Sequence, residues 1–163
     1  MEKVILLLAF IFFASCTNQS NSFISDKEKN QILNEVSETA NKGIDAVNKL
    51  DLQSFLGMFL NSPDFLSVTT DGDFVNYEQK VKAETEFFNS VSSLHLSKIS
   101  ESFKILSRNS VLYTLQFKVN AELKTGEKLT FEKIIAAEIY SKINGVWKMS
   151  FFQESGLAPI ISK

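Results

Sequence analysis

From Leu96 onward the chain alternates. Over Leu96 to Leu106, Val111 to Leu123, Leu129 to Ser141 and Val146 to Glu154, apolar and polar side chains take turns, and turn-forming pairs separate the runs at Arg108-Asn109, Thr125-Gly126 and Asn144-Gly145. A period of two sends successive side chains to opposite faces of a strand, so the four runs predict a meander of four long antiparallel strands. The second is the cleanest: Val111, Tyr113, Leu115, Phe117, Val119 and Ala121 face one way, Leu112, Thr114, Gln116, Lys118, Asn120 and Glu122 the other. One face is core and one is wet. Strict alternation carried into the next two runs puts Phe131, Lys133, Ile135, Ala137 and Ile139, then Trp147, Met149, Phe151 and Gln153, on the inner face. It leaves Gln116, Lys118, Glu132, Ile134, Glu138, Tyr140, Lys148, Ser150 and Phe152 on the outer one.

Before the strands the pattern is helical. Ser25-Asp26-Lys27-Glu28 has capping-box spacing, and Ile32, Val36, Ala40, Gly43, Ile44, Val47 and Leu50 then recur at helical intervals. Asp51 caps a short second segment carrying Leu52, Phe55, Leu56 and Phe59, which Pro63 ends. Phe65 to Thr69, the turn pair Asp71-Gly72 and Phe74-Val75 predict a small hairpin, and Asn76 caps a third helix from Tyr77 to about Ser90 with Val81, Thr85 and Phe88 on one side. Helices first and a curved antiparallel sheet after predict an α+β domain over residues 26–163, its three helices on the concave face of four long strands plus a short hairpin.

The N-terminus changes the picture. Val4 to Ala14 is apolar but too short to span a bilayer, where a helix needs about 20 residues. Phe13-Ala14-Ser15-Cys16 resembles the lipobox of bacterial lipoproteins, with Phe13 where leucine is usual. That resemblance implies a signal peptide over 1–15, acylation of Cys16, a polar tether over 16–25, and a chain held on the bacterial cell envelope facing the periplasm or outside. A conventional signal cut near Ala14 to Cys16 and a retained anchor are the competing readings. With its only cysteine acylated, the mature chain has no thiol for disulfides, nucleophilic catalysis or metal binding, and its stability rests on a core that fifteen phenylalanines help to fill. A net charge of −2 with both signs interspersed offers no basic stripe, so nucleic acid is not an expected partner.

The element order, with Gly145-Val146-Trp147 and Ser155-Gly156 bracketing the last strand, resembles the nuclear-transport-factor-2-like superfamily and its SnoaL-like domains. Trp147, Ser155 and Gly156 match the closing pattern of that superfamily, whereas Phe151 and Gln153 stand where it has histidines. The resemblance implies a cone whose open end holds a pocket, a fold shared by isomerases, dehydratases, cyclases and proteins without known catalysis.

Chemistry in the sequence is sparse. His95 is the single histidine and an acid–base candidate, although a strand-start position between Leu94 and Leu96 equally suits an exposed histidine. Asp64 with Tyr77 or Tyr113 has the residue types of a ketosteroid-isomerase-type site, a carboxylate base with a phenol to hold an enolate oxygen. No metal cluster, phosphate loop or cofactor motif is present, and no cofactor is expected. The expected pocket is Tyr113, Phe117, Lys133, Ile135, Met149, Phe151 and Gln153, with Lys133 and Gln153 as polar groups on an apolar wall. Lys133 can also reach the rim with no ligand. Three functions fit these residues: binding of a small apolar or amphipathic molecule without catalysis, a proton-transfer lyase or isomerase, or an envelope interaction module using Tyr140 and Phe152 on the outer sheet face. The scattered apolar residues of that face suit a monomer or a modest homodimer.

Overall fold

A computed structural model describes residues 23–162. The first helix, α1 (Asp26–Asn48), starts where the capping pattern predicts, with the Ser25 hydroxyl accepting from the Glu28 amide, and buries Ile32, Val36, Ala40, Gly43, Ala46 and Val47 along one side. Asp51 caps the five-residue α2 (Leu52–Leu56). A hairpin of β1 (Leu66–Val68) and β2 (Phe74–Val75) comes next. Asn76 and Gln79 then form a reciprocal capping box on α3 (Tyr77–Ser90).

Four long strands complete the chain: β3 (Val91–Ser107), β4 (Ser110–Leu123), β5 (Lys128–Ile143) and β6 (Val146–Gly156), with a short β7 (Ile160–Ser162). β3 runs straight out of α3, five residues earlier than its alternation suggests. The sheet order is β2-β1-β6-β5-β4-β3, with β7 paired to β5. The result is a curved, unclosed α+β cone with three helices. It departs from the all-antiparallel expectation in one respect, because β1 lies parallel to β6. The segment after α2 sets this direction: it joins β6 through Met149 N–H to the Met58 carbonyl and Leu60 N–H to the Met149 carbonyl, and enters β1 in the same sense.

The β5–β6 hairpin turns on Asn144 and Gly145, both with positive φ, the conformation a two-residue turn of this kind requires. At the same end α1 is tied to the sheet. The Glu35 carboxylate accepts from Lys142 Nζ at 2.7 Å and from the Trp147 indole at 2.9 Å. These bonds hold Glu35 at about 2, with the Lys142 hydrogen bond the largest cause. Trp147 is therefore a latch between helix and closing strand.

Two β-bulges decide which side chains face the core. In the β4–β5 ladder Phe117 pairs with Ile134 and Val119 with Phe131, so Glu132 and Lys133 together oppose Lys118. In the β5–β6 ladder Ile139 pairs with Phe151 and Tyr140 with Met149, so Ser150 is the extra residue. Each added residue reverses the inward and outward sense of the residues beyond it. Ile134, Ala136, Glu138, Tyr140 and Phe152 are consequently buried, where simple alternation had put Ile134, Glu138, Tyr140 and Phe152 outside. Lys133, Ile135 and Gln153 are exposed in exchange, and Phe151 is half-buried.

Candidate functional site

Between the concave face and the helices lies a cavity of about 360 Å³. Its walls come from every layer: Ala40, Gly43, Ile44 and Val47 of α1, Phe55 of α2, Phe87 and Phe88 of α3, and the inward residues of β3 to β6. Most of that lining is apolar. Five side chains with ionisable groups interrupt it, namely Glu84, Tyr113, Glu138, Tyr140 and Glu154.

Glu138 is the centre of the polar patch and only 6% exposed. Register surrounds it: Tyr113 lies directly across on β4, Phe152 directly across on β6, and Ala136 and Tyr140 are its neighbours on the same face of β5. Glu154 pairs with Ala136 and so sits diagonally from Glu138. Burial away from water pushes the Glu138 carboxyl up to about 7, while the hydrogen-bonding Tyr140 hydroxyl works in the opposite direction. Burial likewise raises Glu154, which the Lys80 ammonium partly offsets and Glu84 reinforces.

Lys80 is the cation at this end. It is buried on α3, pairs with Glu84 at 2.5 Å, and lies 4.1 Å over the Phe152 ring. The third helix therefore buries Lys80 beside Phe88, while Val81 and Thr85 are only partly covered. Tyr113 links the cavity to the cone edge, since its hydroxyl donates to Glu101 at 2.9 Å and Glu101 also accepts from Lys98. Burial, with the Glu101 carboxylate, drives the Tyr113 hydroxyl well above its usual range, so it remains protonated as a donor.

Of the pocket residues expected from sequence, Tyr113, Phe117 and Met149 line the cavity, and Lys133, Ile135, Phe151 and Gln153 do not. His95 is exposed on the edge strand β3, opposite Asn120. Asp64 is exposed on the turn before β1, beside Ser62 at 3.4 Å. Neither lines the cavity that contains Tyr113. Cys16, the signal segment and most of the tether lie outside the described residues. Sequence reasoning missed Glu138, Glu154, Lys80 and Tyr140. Its overlooked signal was a three-residue spacing between inward apolar residues, Phe131 to Ile134 and Met149 to Phe152, which breaks the period of two at both bulges.

No family model matches the chain, and no curated protein matches its sequence. Solved structures do match its shape. A nuclear-transport-factor-2-like protein from Salmonella enterica superposes with a TM-score of 0.70 at 17% identity, covering 80% of this chain and 94% of its own. Hexachlorocyclohexane dehydrochlorinase LinA-type3 from Novosphingobium barchaimii gives 0.70 at 11% identity, covering 85% and 94%. A proposed scytalone dehydratase from Novosphingobium aromaticivorans gives 0.73 at 6% identity, covering 85% and 93%. The fold is that of the nuclear-transport-factor-2-like proteins. At such identities the likeness extends to the architecture alone, and function has to come from the side chains.

Proposed function

We propose that this chain is a lipid-anchored envelope protein whose cone cavity holds a small amphipathic molecule without converting it. The observation that carries the reading is the cavity itself, about 360 Å³ of mostly apolar lining with its polar groups gathered around Glu138. That is the build of a small-molecule site: apolar walls supply affinity and a few polar groups fix orientation. The polar end is Glu138, Tyr140, Tyr113 and Glu154, in place of Lys133 and Gln153. Anchoring through acylated Cys16 rests on the sequence pattern alone.

One observation favours a second reading. A carboxyl held at about 7 beside two protonated phenols, in an apolar cavity, is suited to proton transfer next to a carbonyl or a leaving group. Two of the similar folds carry the names of a dehydrochlorinase and a dehydratase. In this reading Glu138 is the base, and His95 and Asp64 have no part.

Ala83, exposed on α3 and part of the cavity lining, gives the test. Titration with the neutral fluorophore N-phenyl-1-naphthylamine should show saturable, blue-shifted emission at one site per chain, and Ala83→Trp should abolish it by filling the entrance without touching the core. Emission that never saturates, or that Ala83→Trp leaves unchanged, contradicts the binding reading.

A further inference from the structure

We infer that the ligand of this cavity is an organic cation, an amphipathic amine whose ammonium group sits against Glu138 and whose apolar body lies among Phe87, Phe117, Phe131 and Leu115. The inference rests on the pocket reading and gives it a ligand class.

The polar end of the cavity is rich in carboxyl groups. Three carboxylates, Glu84, Glu138 and Glu154, line it, and among the described residues no lysine, arginine or histidine does. The cation nearest to them, Lys80, is already committed to Glu84 at 2.5 Å and to the face of Phe152. Among the described residues Lys142 is paired with Glu35, Arg108 with Glu28 and Lys98 with Glu101, and none of the ion pairs involves Glu138 or Glu154. When Glu138 and Glu154 are ionised, this end holds three carboxylates against the one ammonium of Lys80.

Unused acceptor capacity at Glu138 is a second, independent observation. This side chain is more than nine-tenths buried and lines the cavity, and among the described residues its hydrogen-bonding partner is one phenol, Tyr140. A carboxylate accepts at about four lone-pair positions. An ammonium group would donate into those that remain, in a charge-assisted bond shielded from water. The carboxylates do not form a cluster of metal-ligating spacing among the described residues, which favours an extended organic cation over a metal ion. Aromatic faces suit the same guest: Tyr113, Tyr140 and Phe152 border Glu138 in the sheet register, and ring faces attract cations. A ligand anion would be repelled by Glu138 and Glu154 whenever they are ionised.

Binding should depend on pH. The groups facing Glu138 are Tyr140 on its own strand, Tyr113 on β4, Glu154 on β6, and Lys80 and Glu84 on α3, while α1 brings only Ala40, Gly43, Ile44 and Val47. A cation bound beside Glu138 favours its ionised form, so binding near neutral pH should expel a proton to the buffer.

Three probes with related skeletons test the inference: 2-(1-naphthyl)ethylammonium, 2-(1-naphthyl)ethanol and 1-naphthylacetate. Each is titrated calorimetrically at pH 8 into the full chain held in zwitterionic nanodiscs, with empty nanodiscs as the blank. The ammonium should bind about tenfold or more tighter than the alcohol, and the carboxylate weakest of all. Glu138→Gln should cut the ammonium preference to about threefold or less, and Glu154→Gln should weaken it in the same direction if the first variant does not fold. Equal affinity of alcohol and ammonium, or a preference unchanged in the variants, overturns the cation while leaving the pocket reading intact. Saturable binding of N-phenyl-1-naphthylamine with no binding of the ammonium also overturns the cation alone. Failure of every probe overturns both readings.

Discussion

Replacing Glu138 by glutamine should make the protein more stable at pH 8 and flatten its dependence on pH. The carboxyl is held at about 7 against 4.5 in an exposed chain, with burial the chief cause. A group that binds its proton more tightly when folded stabilises the fold fully below the unfolded value, and that stability is lost as pH rises through the folded value. At ~1.36 kcal/mol per pH unit, the separation is worth ~3 kcal/mol at alkaline pH, an upper figure because water and the flanking phenols relax around the charge. Glutamine keeps the shape and a hydrogen-bonding oxygen toward Tyr140 but never ionises. Urea unfolding at pH 5, 6, 7 and 8 measures the effect. Wild type should lose ~1–3 kcal/mol between pH 5 and pH 8 relative to Glu138→Gln, with the two curves converging near pH 5. Glu154, raised in the same sense, should leave part of the slope in the variant. If Glu138→Gln shows the wild-type slope throughout, Glu138 is not buried in an apolar cavity and the bulge register is wrong.

Other perturbations address separate parts of the molecule. Glu35 is held at about 2 by Lys142 and Trp147, so its contribution is present above about 4.5 and fades as pH falls through about 2. Its side chain is 31% exposed, so Glu35→Gln should cost only ~1 kcal/mol at pH 7 by thermal or urea unfolding, and progressively less as pH falls toward and below about 2. A methyl group at Gly43 would collide with the sulfur and terminal methyl of Met58. Those atoms are the flexible end of Met58 and alanine favours the helix by ~0.5–1 kcal/mol, so Gly43→Ala should change stability by less than ~1 kcal/mol, and should be stabilising in a Met58→Ala background, as a double-mutant cycle would record. Cys16→Ser should abolish incorporation of labelled palmitate and release the chain from the membrane fraction, the anchoring expected of the lipobox.

Much of this architecture can be read from the chain because its local signals agree with one another. Ser25, Asp51 and Asn76 each cap the helix they precede, Asn144-Gly145 turns the hairpin, and the inward set of β4 is buried from Val111 to Ala121. What escapes a period-two reading is the inner wall of β5 and β6. Bulges at Glu132-Lys133 and at Ser150 move Glu138, Tyr140, Phe152 and Glu154 inward and turn Lys133, Ile135 and Gln153 out. The cost of burying Lys80 is offset by partners on other elements and one helical turn away, Phe152 and Glu84, which spacing on α3 alone does not reveal. The parallel placement of β1 beside β6 is likewise a tertiary choice, made by the Met58 to Leu60 segment.

The most direct test of the central claim is native mass spectrometry of the full chain extracted from its own membranes, beside Ala83→Trp prepared in the same way. Wild type should carry a retained small molecule that is absent from the variant. Wild-type protein that carries no such mass and takes up no neutral or cationic probe on titration would contradict that claim.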